Sequence, residues 1–86
     1  MNLEVLITII NDWDPIDLFP MAPKDEYEDE AKAILDYIQN HRLIDVNGLA
    51  MCIHNVFTNA FGKEVFTDQK ENCALIAQKI ISFYAL

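Results

Sequence analysis

The sequence predicts an all-α protein, a compact bundle of four helices forming one domain over residues 1–86. Apolar residues recur at helical spacing in four segments, and all three prolines fall between the first two segments. With 52% hydrophobic residues, the 86-residue chain has enough apolar side chains for one modest core. No internal repeat divides it.

Residues 2–13 are predicted to form the first helix. Apolar side chains follow the i, i+3, i+4, i+7 rule at Leu3, Leu6, Ile7, Ile10 and Trp13. Asn2 can cap the first turn. The many β-branched residues also suit a strand, but no second strand is available to pair with it. A helix apolar around so much of its circumference should lie deep in the core, or else at an interface between copies.

Residues 12–27, called the corner below, form an acidic segment punctuated by prolines. Asp14 and Pro15 have the form of an N-cap and a first helical residue, which predicts a short turn of helix through Leu18 or Phe19. Pro20 would stop that turn. Because a residue before proline avoids the α-helical region, Asp14 should also end the first helix.

The second helix is predicted from Pro23 or Lys24 to Asn40. Its first turns are rich in acids, which are favourable at the positive end of the helix dipole. A buried stripe is predicted at Tyr27, Ala31, Ile34, Leu35 and Ile38. Lys32 should pair with Glu28 four residues earlier, and His41 should contact the last carbonyls.

The third helix should begin at a cap provided by Asp45 or Asn47 and end near Gly62. Its apolar stripe comprises Leu49, Cys52, Ile53, Val56, Phe57 and Ala60. After a loop over residues 63–66, Thr67 should cap the fourth helix, with Asp68 in its first turn. The corresponding stripe is Cys73, Ile76, Ala77, Ile80, Phe83 and Tyr84.

The net charge of −8 is unevenly distributed. Residues 1–36 contain ten acidic side chains and two lysines, whereas acidic and basic groups balance over residues 37–86. A net negative charge argues against nucleic acid as a partner, because phosphate binding needs a basic surface. The charge could serve solubility, or it could attract and orient a basic protein partner. No signal peptide or membrane-length apolar run is evident, so a cytoplasmic location is the expectation.

The segments Trp13-Asp14-Pro15-Ile16 and Asp25-Glu26-Tyr27, with Pro23 between them and a helical remainder, resemble the YugE-like family. These are small uncharacterised proteins of Bacillus and its relatives, grouped as a domain of unknown function. The resemblance covers nearly the whole chain. It implies an all-helical fold and a bacterial source, and it brings no activity, ligand or catalytic residue.

No catalytic, cofactor or metal site is expected. The corner aspartates lack the glycine and bidentate glutamate of a calcium loop. Cys52 and His54 are about 200° apart around a helix, so they cannot act as a pair. His54 is expected at the surface or boundary. Cys52 and Cys73 are expected to be reduced core thiols.

Three classes of function are compatible with these residues. The first is a binding or regulatory module that engages a basic protein through residues 12–30, with candidate contacts at Trp13, Asp14, Asp17, Asp25, Glu26 and Tyr27. The second is a structural homo-oligomer, such as a homodimer, formed through the first helix. An enzyme is the least favoured. The two aromatic rings, Trp13 and Tyr27, could anchor a partner or pack beneath the corner and hold it down.

Overall fold

The computed structural model describes residues 2–16, 20–21, 23, 25–41, 43–64, 66 and 70–84. Within them the chain forms four helices, α1 (Leu3–Trp13), α2 (Glu28–Asn40), α3 (Val46–Phe61) and α4 (Lys70–Tyr84). None of these described residues lies in a strand. The all-α prediction is confirmed, and the first segment is a helix.

The helices pack in cyclic order, because α1 contacts α2, α2 contacts α3, α3 contacts α4, and α4 returns to α1. The radius of gyration is 12.0 Å, close to the roughly 12 Å expected for a compact chain of this length. Buried side chains from all four helices meet in one core, joined by Tyr27 and Phe66 from the connections.

Helix α1 lies deep in this core, as its wide apolar surface predicts. Leu6, Ile9 and Ile10 are buried, and the remaining apolar side chains of α1 are partly buried. At its start, the Asn2 side chain accepts a hydrogen bond from the Val5 amide at 2.9 Å. This N-cap satisfies one of the amides that a helix leaves without an internal partner.

Helix α2 begins at Glu28, later than the predicted start at Pro23 or Lys24. Residues 25–27 form turns instead, with the Glu28 amide donating to the Asp25 carbonyl at 3.0 Å. The acids and proline are a helix-start signal, but Tyr27 has a non-helical ψ of 14°. We attribute the delay to the buried Tyr27 ring, whose tertiary contacts outweigh the local preference.

Most of the remainder of α2 follows the prediction, but Leu35 of the predicted buried stripe is only partly buried. Ala31, Ile34 and Ile38 are buried. Lys32 Nζ lies 3.9 Å from Glu28 Oε1. At the C-terminal end, His41 Nδ1 lies 2.7 Å from the Tyr37 carbonyl oxygen, and because that oxygen only accepts, Nδ1 must donate.

Helix α3 is capped by Asp45 rather than Asn47, with the Gly48 amide donating to Asp45 Oδ1 at 2.7 Å. Gly62 ends it at a positive φ of 86°. Leu49, Ile53 and Phe57 form the buried centre of the stripe. Cys52 and Val56 are only partly buried at its sides, and Ala60 is exposed.

Helix α4 buries Cys73, Ala77 and Ile80, as predicted. Phe83 is 48% exposed, so its predicted burial is wrong. Helical spacing identifies a face but not how far neighbouring elements extend to cover it, and coverage is commonly lost near chain ends. The predicted caps Thr67 and Asp68 lie outside the described residues.

No helix among the described residues has both the length and the apolar character needed to cross a bilayer. The compartment itself stays a prediction.

The Asp45 cap should contribute measurably to stability. We expect Asp45→Ala to lower the free energy of unfolding by about 1 kcal/mol, because the Gly48 amide loses its acceptor. Urea denaturation followed by circular dichroism measures the change. Asp45→Ser retains an acceptor and should recover most of the loss; equal losses in both variants would show that the cap contributes nothing.

Candidate functional site

The corner is held from beneath by Tyr27. Its side chain has no exposed surface. The hydroxyl donates to Asp14 Oδ1 at 2.7 Å and accepts from the Ile16 amide at 3.3 Å. A residue at the start of α2 is therefore tied directly to the chain that leaves α1.

Asp14 terminates α1, as predicted, and its amide donates to the Ile10 carbonyl at 2.8 Å. Its backbone is left-handed, with φ 48° and ψ 65°. Aspartate adopts this conformation more readily than most residues. Pro15 and Ile16 lie in a turn, in agreement with the predicted Pro-punctuated turn between α1 and α2. Leu18 and Phe19 lie outside the described residues.

Both aromatic rings of the candidate site face the bundle. Trp13 packs edge-on against Phe57, with ring centroids 5.4 Å apart, and Tyr27 packs edge-on against the same ring at 5.8 Å. Such pairs contribute roughly 0.5–1.5 kcal/mol beyond area burial. Of the two alternatives left by the sequence, packing beneath the corner is observed. Trp13 remains only partly buried.

The acidic members of the candidate site differ in exposure. Asp25 and Glu26 are exposed, Asp14 is partly buried, and Asp17 lies outside the described residues. Neighbouring acids extend the charge onto α2, where Asp29 is exposed and Glu28 and Glu30 are partly buried. The described part of the chain thus presents five carboxylates over residues 25–30, interrupted only by the buried Tyr27.

A groove of about 350 Å³, called the α2–α3 groove below, opens beside this run. Its lining residues are Asp29, Glu30, Ala33, Val56, Asn59 and Ala60. The sequence does not reveal this groove, because helical spacing places Val56 and Ala60 on the apolar stripe of α3. The signal that could have revealed the groove is Ala33, a small exposed residue three positions after Glu30. A larger side chain at this position would have filled the groove.

Glu30 carries a perturbed carboxyl in this groove. Partial burial is the first cause that raises its pKa above the ordinary value of 4.5, and the nearby charges of Asp29 and Glu26 raise it further. A raised pKa means that the surroundings disfavour the charged form. Burial, helped by the neighbouring acids, therefore makes the charged form of Glu30 less favourable than it would be in water.

A second cavity, of about 240 Å³, lies between α3 and α4. Its lining residues are Asn47, Ala50, Met51, His54 and Ala74. His54 is partly buried, as expected for a boundary residue, and its ring lies 5.8 Å from Phe66. Among the described lining residues, none besides His54 carries an ionisable or nucleophilic side chain.

The two cysteines are free thiols, as predicted for reduced cysteines. Cys73 is fully buried. Burial raises the pKa of the partly buried Cys52 to about 11, so almost none of it is thiolate at neutral pH. Among the described residues, no three His, Cys, Asp or Glu side chains are grouped so that they could hold a metal ion.

A family model described as "Domain of unknown function (DUF1871)" matches residues 5–84. The match runs from the first turns of α1 to the end of α4. No curated protein and no solved structure gives a significant match.

The contribution of the Tyr27 hydroxyl to stability can be tested by substituting phenylalanine, which removes only the oxygen. We expect Tyr27→Phe to lower the free energy of unfolding by about 1–3 kcal/mol, because the Asp14 carboxylate and the Ile16 amide lose a partner. Tyr37→Phe is the matched control, since no hydrogen bond joins its hydroxyl to another described residue; its effect should stay within about 0.5 kcal/mol. Equal effects in urea denaturation would contradict the assignment.

The raised pKa of Glu30 predicts that its carboxyl destabilises the folded protein in a pH-dependent way. Below its ordinary pKa the carboxyl is protonated in both the folded and the unfolded protein, so it does not change the stability. The destabilisation grows as pH rises through the raised pKa of the folded protein. We expect Glu30→Gln to raise the melting temperature slightly at pH 7 and to leave it unchanged at pH 3. Thermal denaturation at both pH values measures this, with Glu64→Gln at an exposed site as control. A lower melting temperature for Glu30→Gln at pH 7 would contradict it.

Proposed function

The chain belongs to the DUF1871 family, whose description names no activity, and on that premise we propose a function from the surface itself. The protein is a non-enzymatic binding or regulatory module. It engages a basic protein partner through the acidic region of residues 12–30.

The distribution of charge carries this proposal. All of the net charge of −8 arises within residues 1–36. In the described part of that segment, one ion pair is seen, between Lys32 and Glu28, and its two side chains are 57% and 41% exposed. Exposed carboxylates that outnumber the nearby lysines form a negative field that attracts a positively charged surface and orients its approach.

The candidate residues divide into two groups by exposure. A partner would touch the exposed Asp25 and Glu26 directly, and the partly buried Trp13 would contribute its accessible surface. Tyr27 would act from inside, because its buried ring and its hydrogen bond to Asp14 hold the corner in place. Asp17 remains part of the proposed contact surface from its sequence position.

Binding without catalysis is supported by the state of the nucleophile candidates. The Cys52 thiol has a raised pKa. In the part of the His54 cavity lining that the structure describes, no second ionisable group is present. Membership of the YugE-like group, a bacterial source and a cytoplasmic location belong to the same proposal and rest on the sequence resemblance and composition.

A homodimer formed through α1 is the alternative. The buried state of α1 supports it less, because Ile9 is 3% exposed and no exposed large apolar residue of the described chain belongs to α1. A monomer that already covers this helix gains little by pairing through it.

Affinity capture from the source organism tests the proposed function. We expect the wild-type protein to recover a basic protein whose binding weakens steeply as salt rises. The double variant Asp25→Lys/Glu26→Lys should weaken binding by about tenfold or more, because four units of charge change at the contact. Surface plasmon resonance with the recovered partner measures the affinity.

The control is Glu4→Lys/Glu64→Lys, which changes the net charge equally at two exposed sites outside residues 12–30. It should retain affinity within about threefold. Equal losses of affinity in both double variants would show that only the overall charge matters, and this would contradict a defined binding surface. The proposal would also be overturned if no basic protein is recovered, or if the affinity of the recovered protein does not change with salt concentration.

A further inference from the structure

We infer that the α2–α3 groove seats one arginine side chain of the basic partner, an inference that rests on the proposed function and assigns the partner's chemistry. The guanidinium would lie at the carboxylates of Asp29 and Glu30. Its aliphatic stem would lie along Ala33, Val56 and Ala60.

Charge complementarity requires a cation. Asp29 and Glu30 line the groove together, and neither is ion-paired to a described residue. The lysine in the next turn, Lys32, is directed to Glu28 at 3.9 Å. A cation in the groove would offset the repulsion that the charge of Asp29 exerts on the partly buried Glu30.

The rest of the lining distinguishes this groove from an ordinary solvated acidic surface. Val56 supplies a partly buried apolar floor between the two helices. Ala33 and Ala60 are small, exposed residues on either wall. An occupant with an apolar stem and a charged head matches a site that is apolar along its walls and acidic at one end.

Arginine fits this combination better than lysine. Its guanidinium is flat, weakly hydrated and able to donate to two carboxylates at once. The side-chain carbonyl of Asn59 provides a further acceptor on the same lining. A lysine ammonium is compact and strongly hydrated, so it would lose more by leaving water for a partly buried position.

An NMR titration with defined probes tests the groove. The ¹⁵N-labelled full chain is titrated with N-acetyl-arginine amide, its lysine counterpart, and the neutral isostere N-acetyl-citrulline amide. We expect arginine to shift amides at residues 29–33 and 56–60 and to bind about fivefold or more tightly than citrulline. Lysine should fall between them. Shifts elsewhere, or equal binding of arginine and either other probe, would overturn the inference.

Two variants test the walls separately. Glu30→Gln removes charge, and Ala33→Leu fills the groove while leaving the charge unchanged; each should weaken arginine binding about threefold or more. The matched controls are Glu64→Gln and Gln39→Leu, which lie at exposed sites outside the lining. Spectral dispersion confirms that each variant is folded. Unchanged arginine binding in both groove variants would overturn the inference.

The proposed function and the groove can fail independently. If Ala33→Leu still captures the basic partner with wild-type affinity while Asp25→Lys/Glu26→Lys does not, the acidic surface stands and the groove assignment is wrong. If the groove binds the arginine probe but no basic protein is captured, the groove stands and the proposed partner is wrong.

Discussion

The hydrogen bond from the buried Tyr27 hydroxyl to Asp14 is the constraint on which the arrangement of this surface depends. A phenol removed from water must find partners, and Tyr27 finds them in the chain that leaves α1. The same ring packs against Phe57 of α3. One side chain thus links the end of α1 and the start of α2 to the third helix, and the aromatic cluster beneath the corner supplies the apolar contact.

This anchor has a consequence for binding. Asp25 and Glu26 precede the fixed ring directly, so their backbone is held by the turns that lead into α2. Carboxylates on an ordered backbone lose less conformational entropy on binding than those on a free acidic tail. The charge in this part of the chain is therefore preorganised, which would favour the proposed partner, and the same charge would also favour solubility.

The α2–α3 groove lies where small residues on the two helices meet. Ala33 and Ala60 leave space that longer side chains would fill, and Val56 lines the groove between them. Ile34, Ile53 and Phe57 are fully buried in the core beneath, and Val56 packs against that core. The exposed alanines can therefore shape the groove without contributing to the buried centre of the bundle.

Local patterns in the sequence determined the four helices, the buried face of each, the Asn2 cap and the end of α1 at Asp14, because helical periodicity and capping act over a few residues. The charge asymmetry was also readable from composition. Only the tertiary structure decided that α2 starts at Glu28, that Phe83 is exposed, and that Tyr27 binds Asp14 across thirteen positions. The α2–α3 groove was also decided only by the tertiary structure, since its lining comes from two helices far apart in the chain. Such features depend on which surfaces meet after folding. The spacing of residues within one helix does not indicate which residues of another helix will lie against it.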